Sequence, residues 1–298
     1  MYYLLYGFFY LLSMIPWRVM YVISDGLYAL VYYVFGYRKA VVMKNLSIAF
    51  PEKTEAERVR IAKNFYRNFT DSFVEMVKLV SISPKEFDKR FTVNAEVLKD
   101  LYPSGQNVQI HAGHFFNWEF LNLGVSKNSP YPLIGIFTAL TNKHFDRLIK
   151  NIRGKFGTIL ISTGEFRTNF HKYTDKPYAL GLIADQNPVD PANAYWVRFF
   201  GRLTPFVKGP EKGAKSKNTA VVMADLYREK RGYYRADLTL LTTRPKETPV
   251  GYITKELIHH IEASIKKRPH NYLWSHRRWK FEYDAEKFSK YVIPGEEL

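Results

Sequence analysis

The chain has 298 residues, of which 44 are Lys or Arg and 28 are Asp or Glu, so its formal net charge is +16. Because 46% of the residues are hydrophobic and 16% are aromatic, a disordered polycation is excluded. The absence of cysteine excludes a disulfide scaffold, a thiol nucleophile and any cysteine-ligated metal site. A folded and strongly basic protein is expected to bind an anionic partner, either a nucleic acid or a membrane surface.

The N-terminal segment indicates that the anionic partner is a membrane and not a nucleic acid. Residues 1–17 carry no charged side chain, and a second apolar run covers residues 26–37. A helix over the first run would be roughly 25 Å long, close to the hydrocarbon core of a bilayer at about 30 Å. It lacks the basic start and small-residue cleavage site of a secretory signal peptide. Residues 1–37 are therefore predicted to form a membrane anchor, with a buried core hairpin as the alternative. Cations after the first run, including Arg18, Arg38 and Lys39, predict that the bulk of the protein is cytoplasmic.

Residues 38–90 are predicted to form a membrane-proximal helical region. Thr54 and Glu57 have the spacing of a capping box, which marks a helix start. The helix carries apolar residues every three or four positions as far as Val80. This stripe is expected to pack in the core, with contact to a membrane surface as the alternative. Residues 81–90 are the expected joint to the next part of the chain.

Residues 91–298 alternate between short apolar runs and helical stretches. The patterns predict strands at residues 108–110, 133–137, 158–162 and 178–184, helices at 115–125, 144–156, 166–173 and 254–267, and an antiparallel pair at 221–226 and 233–241. The helix ending at residue 156 is expected to be capped by Gly157. The alternation predicts an α/β domain with a mixed sheet flanked by helices.

The stretch QIHAGHFFNWE at residues 109–119 lies where a strand passes into a helix. On one helix, His114 and Glu119 would point about 140° apart. If His114 instead lies in the turn before the helix, Glu119 can reach back and hold one ring nitrogen, leaving the other as a general base. The alternative is that the two residues are only local neighbours. The sequence contains no G-x-S-x-G motif and no H-E-x-x-H metal motif.

This stretch resembles the H-x4-D/E motif of the glycerolipid acyltransferase superfamily, and more narrowly the H-x-G-N-W-E form of the lipid A biosynthesis (late) acyltransferases. The resemblance covers almost the whole chain, through further blocks in the family's order: AFPE at 49–52, RGKFG at 153–157, ADQ at 184–186, FFG at 199–201, KGP at 208–210 and YLWSHRRWK at 272–280. One departure is Phe116, which stands where the family commonly has glycine.

The resemblance implies a glycerolipid acyltransferase-like α/β fold and an enzyme that needs no metal or cofactor. It further implies transfer of a fatty acyl group from acyl carrier protein to a hydroxyl of a lipid A precursor, at the cytoplasmic face of the inner membrane. His114 would be the general base and Glu119 would orient it. Because no cysteine or G-x-S-x-G serine offers a covalent carrier, direct attack by the acceptor hydroxyl is expected. The positive charge suits an acidic carrier protein and an anionic membrane, and no nucleic acid is expected.

By the same resemblance, four further residues are predicted to bind substrate. Arg153 would bind phosphate or the acyl donor, or else be a solvated cation at a helix end. Asp185 would position a substrate, or else form a turn. Gly209 would shape the acceptor channel, or else belong to a turn. Arg277 would contact a lipid headgroup, or else lie on a solvated basic rim.

Two other functions are compatible with the sequence. The same catalytic pair would serve an acyltransferase acting on another lysolipid or aminolipid acceptor, since the base needs only a hydroxyl. A non-enzymatic basic module for nucleic acid or anionic membranes is also compatible with clustered cations and aromatic residues. That second reading leaves the ordered motifs and the uncharged N-terminus unexplained.

Overall fold

The structure is a computed structural model that describes residues 1–296. Its helices are α1 (Tyr2–Met14), α2 (Trp17–Ala29), α3 (Lys39–Ala49), α4 (Glu55–Leu79), α5 (Pro84–Arg90), α6 (Glu96–Leu101), α7 (Trp118–Asn128), α8 (Lys143–Arg153), α9 (Phe166–Asn169), α10 (Gly209–Lys217), α11 (Tyr252–Lys267) and α12 (Ala285–Phe288). Its strands are β1 (Phe91–Asn94), β2 (Val108–Ala112), β3 (Leu133–Phe137), β4 (Ile159–Ser162), β5 (Ala179–Ile183), β6 (Ala194–Phe199), β7 (Arg202–Val207), β8 (Ala220–Lys230) and β9 (Tyr233–Thr242).

Seven strands form one mixed sheet in the order β1-β9-β8-β2-β5-β3-β4. Strands β8, β2, β5, β3 and β4 are parallel to one another, whereas β9 and β1 run the opposite way. Every residue of β2 is buried, as expected for a parallel strand covered on both faces. The predicted mixed α/β sheet and the antiparallel pair β8–β9 are confirmed.

A separate two-stranded sheet, β6–β7, was not predicted from the sequence. Its strands are joined by Phe200 and Gly201, which both have positive φ angles (51° and 74°). Such angles are typical of the tight turns that connect two antiparallel strands. The sequence signal is the glycine between the short runs 194–199 and 202–207.

Several helix boundaries differ from the predicted ones, most notably the start of α7 and the end of α8. Helix α7 begins at Trp118 and not at residue 115, because Asn117 is its N-cap and accepts a hydrogen bond from the backbone N–H of Glu119 at 3.2 Å. Helix α8 ends at Arg153 and not at residue 156, so Gly157 is not its cap. Gly154 directly follows the helix, and Gly157 takes a φ of 102° in the turn that leads to β4.

The N-terminal helices pack against α4 on one side and expose apolar residues on the other. Within residues 1–296, no single helix is long and apolar enough to cross a bilayer. Helix α1 and the helical run Trp17–Val34 meet the length and composition criteria only as a pair, bent by 107° at their junction. Large apolar side chains exposed on this pair include Leu4, Phe8, Leu11, Met14, Val19, Val22, Leu30 and Val34. The membrane anchor at residues 1–37 stays a prediction.

Polar groups buried on α4 hold the N-terminal helices in place. The ammonium of Lys78 donates hydrogen bonds to the carbonyls of Ser13 and Ile15, where α1 ends. Earlier on α4, Asp71 accepts from the hydroxyl of Ser24 at 2.6 Å. Lys78 and Asp71 are 8% and 1% exposed. The bend between α1 and α2 is therefore fixed by charged side chains of the next long helix.

The start of α4 has the predicted capping box, with Thr54 and Glu57 exchanging hydrogen bonds. Its predicted apolar stripe packs into the core through residues such as Ala62 and Phe65, both 0% exposed, although Phe73 is 52% exposed. The segment expected to be a joint contains α5. The division of the chain at residues 37 and 90 stays a prediction.

Candidate active site

His114 lies in the turn between β2 and α7, with its ring nitrogen Nδ1 2.5 Å from Oδ1 of Asp185. The backbone N–H of His114 donates to Oδ2 of the same carboxylate at 3.0 Å. Asp185 follows β5, the strand next to β2, so the carboxyl ends of two neighbouring parallel strands bring the side chains together. With Nδ1–H donating to the carboxylate, the imidazole keeps a lone pair on Nε2 that can accept a proton.

Asp185 is held as a charged group beneath the imidazole. It is 1% exposed. Burial alone would raise the pKa of its carboxyl, but the charge and hydrogen bonds of His114 outweigh burial and lower that pKa to about 2. The hydroxyl of Tyr272 also donates to Asp185, and burial together with the Asp185 charge raises the pKa of Tyr272 well above its ordinary value. Asp185 can therefore stabilise a protonated His114.

Glu119 is paired with Arg153 and not with His114. The guanidinium of Arg153 donates through Nη2 to Oε1 at 2.7 Å and through Nε to Oε2 at 3.0 Å, a bidentate geometry. The indole N–H of Trp118 donates to Oε1 at 3.1 Å. Burial would lower the pKa of Arg153, but the charge and hydrogen bonds of Glu119 raise it. The contact predicted between Glu119 and His114 is thus replaced by one between Asp185 and His114.

The first turn of α7 rests on a buried carboxylate from α4. The Asn117 side chain, which caps α7, donates through Nδ2 to Oε2 of Glu75 at 3.1 Å. The hydroxyl of Tyr234 on β9 donates to Oε2 at 2.6 Å, and that of Tyr21 on α2 donates to Oε1 at 3.0 Å. Glu75 is 0% exposed. One carboxylate therefore joins the N-terminal helices, the sheet and the turn that carries His114.

A cavity of about 430 Å³ extends from His114 along one face of the sheet. At its polar end lie His114, Trp118, Glu119, Arg153 and Gln186. The rest of its wall is mainly apolar and comes from the sheet strands β2 to β5 and from α7, with the side chains of Ile110, Ala112, Leu121, Val125, Leu133 and Leu160 among others. A His–Asp dyad beside a mainly apolar cavity suits a ligand with a polar reacting group and a hydrocarbon chain. Within residues 1–296, no cluster of three or more His, Asp or Glu side chains could hold a metal ion.

Comparison with known proteins identifies the family. The model of a family described as bacterial lipid A biosynthesis acyltransferase matches residues 1–281. The chain belongs to this family. It is similar to lipid A biosynthesis acyltransferase 2 of Shigella flexneri, with 23% identity over 245 residues that cover 80% of this chain and 75% of that protein. The resemblance inferred from the motif blocks is confirmed.

The residues carried over from the acyltransferase family fall into two groups. Arg153 and Asp185 lie at the His114 site, although the first is paired with Glu119 and the second with the histidine. Gly209 is exposed at the start of α10 and is not part of the cavity wall. Arg277 is exposed, and its backbone carbonyl accepts from Asn187 at 2.8 Å. Roles for Gly209 and Arg277 in substrate binding stay predictions.

Phe116, the departure from the family's glycine, points away from the cavity. Its side chain is 0% exposed and packs against Phe65 of α4 and Trp118, with ring centroids 5.7 Å and 6.2 Å away. The additional bulk therefore fills the interface between α4 and the turn that carries His114. It does not narrow the cavity beside His114.

The contact between Glu119 and Arg153 predicts a coupled effect on acyltransferase activity. Glu119→Gln and Arg153→Lys each break the bidentate pair, and each is expected to lower kcat/KM by up to about 10²-fold because the guanidinium loses its position. The double variant is expected to lose little more than either single variant, because partners in one pair are not additive. Steady-state kinetics on the two single variants and the double variant give the kcat/KM values that test this non-additivity.

The matched control is Asp88→Asn, which breaks the ion pair between Asp88 and Lys127 in the last turn of the helix that carries Glu119; its activity is expected to stay near that of the wild type. If the losses from Glu119→Gln and Arg153→Lys multiply in the double variant, Glu119 acts on the reaction independently of Arg153.

Proposed function

We propose that this protein transfers a fatty acyl chain from acyl carrier protein to a hydroxyl of a lipid A precursor at the cytoplasmic face of the inner membrane. The observation that carries the proposal is the position of the His114–Asp185 dyad at the mouth of an apolar cavity. Membership of the lipid A acyltransferase family supports the acceptor class. The cavity supports a donor with a hydrocarbon chain.

In the proposed reaction, Nε2 of His114 removes the proton of the acceptor hydroxyl while its oxygen attacks the thioester carbonyl. Asp185 stabilises the imidazolium that forms. The tetrahedral intermediate then collapses, the carbon–sulfur bond breaks, and the departing thiolate takes the proton from His114. The products are an ester and a free thiol, and no covalent acyl-enzyme is formed. A positioned base of this kind typically accelerates proton transfer by about 10²–10⁴-fold.

Arg153 is suited to stabilise the negative charge that develops on the thioester oxygen. It lines the cavity together with His114, and the buried carboxylate of Glu119 fixes its orientation through Nε and Nη2. Its Nη1 group has no hydrogen-bond partner in the part of the chain from residue 1 to residue 296. A preorganised cation next to a developing oxyanion stabilises the transition state more than the ground state.

The proposed membrane location rests on the surface formed by α1, α2 and α8. The side chain of Asn151 on α8 donates to the hydroxyl of Tyr2 at 2.6 Å, and the guanidinium of Arg147 lies 4.0 Å from the centre of the Tyr2 ring. Cations of α8 therefore border the exposed apolar side chains of the N-terminal helices. Apolar residues beside cations favour an anionic lipid surface, and the net charge of +16 also favours an acidic carrier protein.

Acyl transfer by the detergent-solubilised protein tests the proposal. The donors are acyl carrier protein thioesters, the acceptor is a tetra-acylated lipid A precursor, and the product is measured by mass spectrometry. We expect a single added acyl chain on the precursor and none with His114→Ala. Transfer to a lysophospholipid or an aminolipid, but not to the lipid A precursor, would reassign the acceptor. No transfer to any of these acceptors would overturn the proposal.

A further inference from the structure

The floor of the cavity contains two glycines that face each other across neighbouring strands. In the sheet register, Ile110 of β2 is opposite Gly181 of β5, Gly181 is opposite Gly135 of β3, and Gly135 is opposite Leu160 of β4. All four residues line the cavity. Because side chains alternate between the two faces of a strand, this row lies on the face that α7 covers. The absence of side chains at its two central positions opens a channel in the middle of the sheet.

The channel leads from the dyad toward the amino ends of the strands. Ala112 lines the cavity near His114, whereas Leu133 lines it near the start of β3. Leu133 pairs with Ala179, which pairs with Val108, four residues before Ala112. At about 3.3 Å per residue, the positions of Ala112 and Leu133 are therefore about 13 Å apart along the strand direction. The glycine row lies halfway along this distance, so any side chain placed there would obstruct the channel.

Both glycine positions have room for a Cβ atom without a steric clash. A Cβ at Gly135 would lie 3.4 Å from Cδ2 of Leu160 and 3.5 Å from Cγ2 of Thr158, and a Cβ at Gly181 would lie 3.7 Å from the carbonyl oxygen of Ile134 and 3.8 Å from Cδ1 of Leu133. These are ordinary van der Waals distances, and neither glycine has a positive φ angle. Since a glycine inside a strand weakens it, a reason beyond local packing is needed for two glycines side by side.

We infer that Gly135 and Gly181 determine how long an acyl chain the enzyme accepts. The inference rests on the proposed function, because it assigns the channel to the acyl chain of the donor. The chain lies over the bare backbone of the two glycines, with its thioester beside His114 and its terminal methyl group directed toward Leu133. Side chains at positions 135 and 181 therefore act on long donors and leave short donors unaffected.

Substitutions that obstruct the channel and a substitution that extends it are expected to shift the preferred acyl-chain length of the donor in opposite directions. Gly135→Ala and Gly181→Ala place one methyl group in the channel, which is expected to lower kcat/KM for the longest accepted donor by about 10- to 200-fold. Donors that end before the glycine row keep their activity. Gly135→Leu excludes all but the shortest donors. Leu133→Ala extends the far end of the channel and is expected to favour a longer donor than the wild type prefers.

The experiment measures transfer from acyl carrier protein thioesters of increasing saturated chain length with the wild type and these variants. Gly164→Ala is the matched control, because a Cβ there meets nothing within 4 Å and Gly164 does not line the cavity. An unchanged chain-length optimum in Gly135→Ala, Gly135→Leu and Gly181→Ala, with the wild type active, would overturn the inference and leave the proposed function in place.

A binding measurement separates the inference from the proposed function. Displacement of a fluorescent long-chain fatty acid by unlabelled fatty acids of graded length requires no transfer reaction. If the wild type transfers no acyl group, the proposed function fails. A loss of long-chain binding in Gly135→Leu, with retention in Gly164→Ala, would still support the channel. Equal long-chain binding by both variants would contradict it.

Discussion

Asp185→Asn is expected to lower kcat for acyl transfer by up to about 10⁴-fold, the loss that the same change causes in a Ser-His-Asp triad. Asparagine keeps the shape of the side chain but loses the charge that stabilises the imidazolium. Its amide also cannot accept from both the ring Nδ1–H and the backbone N–H of His114, which the carboxylate does at 2.5 Å and 3.0 Å. KM for the donor is expected to change little, because Asp185 is buried behind the ring.

Steady-state kinetics and unfolding curves check this prediction together. The pKa of Asp185 is lowered to about 2 in the folded protein, so its ionised form stabilises the fold above about pH 4, the ordinary range of an aspartate. That contribution is lost as the pH falls toward 2, and Asp185→Asn is expected to lack this acid-sensitive component. The matched control is Asp190→Asn in the same loop, whose exposed carboxylate accepts from the backbone N–H of Ala192 and from no other group within residues 1–296. Wild-type kcat in Asp185→Asn would contradict the assignment.

His114→Ala is expected to lower kcat by about 10²–10⁴-fold, the range that a positioned general base contributes. Truncation is expected to leave the proposed donor site intact, since the apolar wall of the cavity, and not the imidazole, would contact the acyl chain. The loss is therefore expected in kcat and not in donor KM. Added imidazole is expected to restore part of the activity, because the truncated side chain leaves room beside Asp185 for a free base.

The control for this substitution is His171→Ala, which removes an exposed histidine outside the cavity. Its kcat is expected to match the wild type with and without imidazole. Transfer by His114→Ala at the wild-type rate would mean that another group removes the proton. A loss that imidazole does not reverse, with unchanged thermal unfolding, would assign His114 a role other than proton transfer.

The elements that depend on local patterns could be predicted from the sequence. The capping box at Thr54 and Glu57, the antiparallel pair β8–β9 and the placement of His114 in a turn before a helix all follow from residues close together in the chain. The family could be identified for a similar reason, because its motifs are short and occur in a fixed order.

The pairing within the site could not be predicted in this way. His114 and Asp185 are 71 residues apart, and they meet because β5 lies beside β2, a strand order that no local pattern specifies. The pattern suggested Glu119 because it is five positions from His114. With Asn117 as the N-cap, Glu119 becomes the second residue of α7, and its carboxylate bonds to Arg153 at the end of α8. The ADQ block at 184–186, directly after a predicted strand, was the signal that pointed to Asp185.

The buried contacts of α4 bear on how the protein can be handled in solution. A chain shortened to begin after residue 37 would lose the carbonyls that bind the Lys78 ammonium, the hydroxyl that donates to Asp71 and the Tyr21 hydroxyl that donates to Glu75. Losing one hydrogen bond to a charged group typically costs about 1.5–3 kcal/mol, and several are lost together, against a total stability of about 5–15 kcal/mol for a typical protein. The N-terminal helices are thus part of the packed fold and cannot be removed without a large loss of stability. Polar substitutions at exposed positions such as Phe8, Leu11 and Val22 would leave these buried contacts in place, and we expect them to reduce the exposed apolar surface without loss of stability.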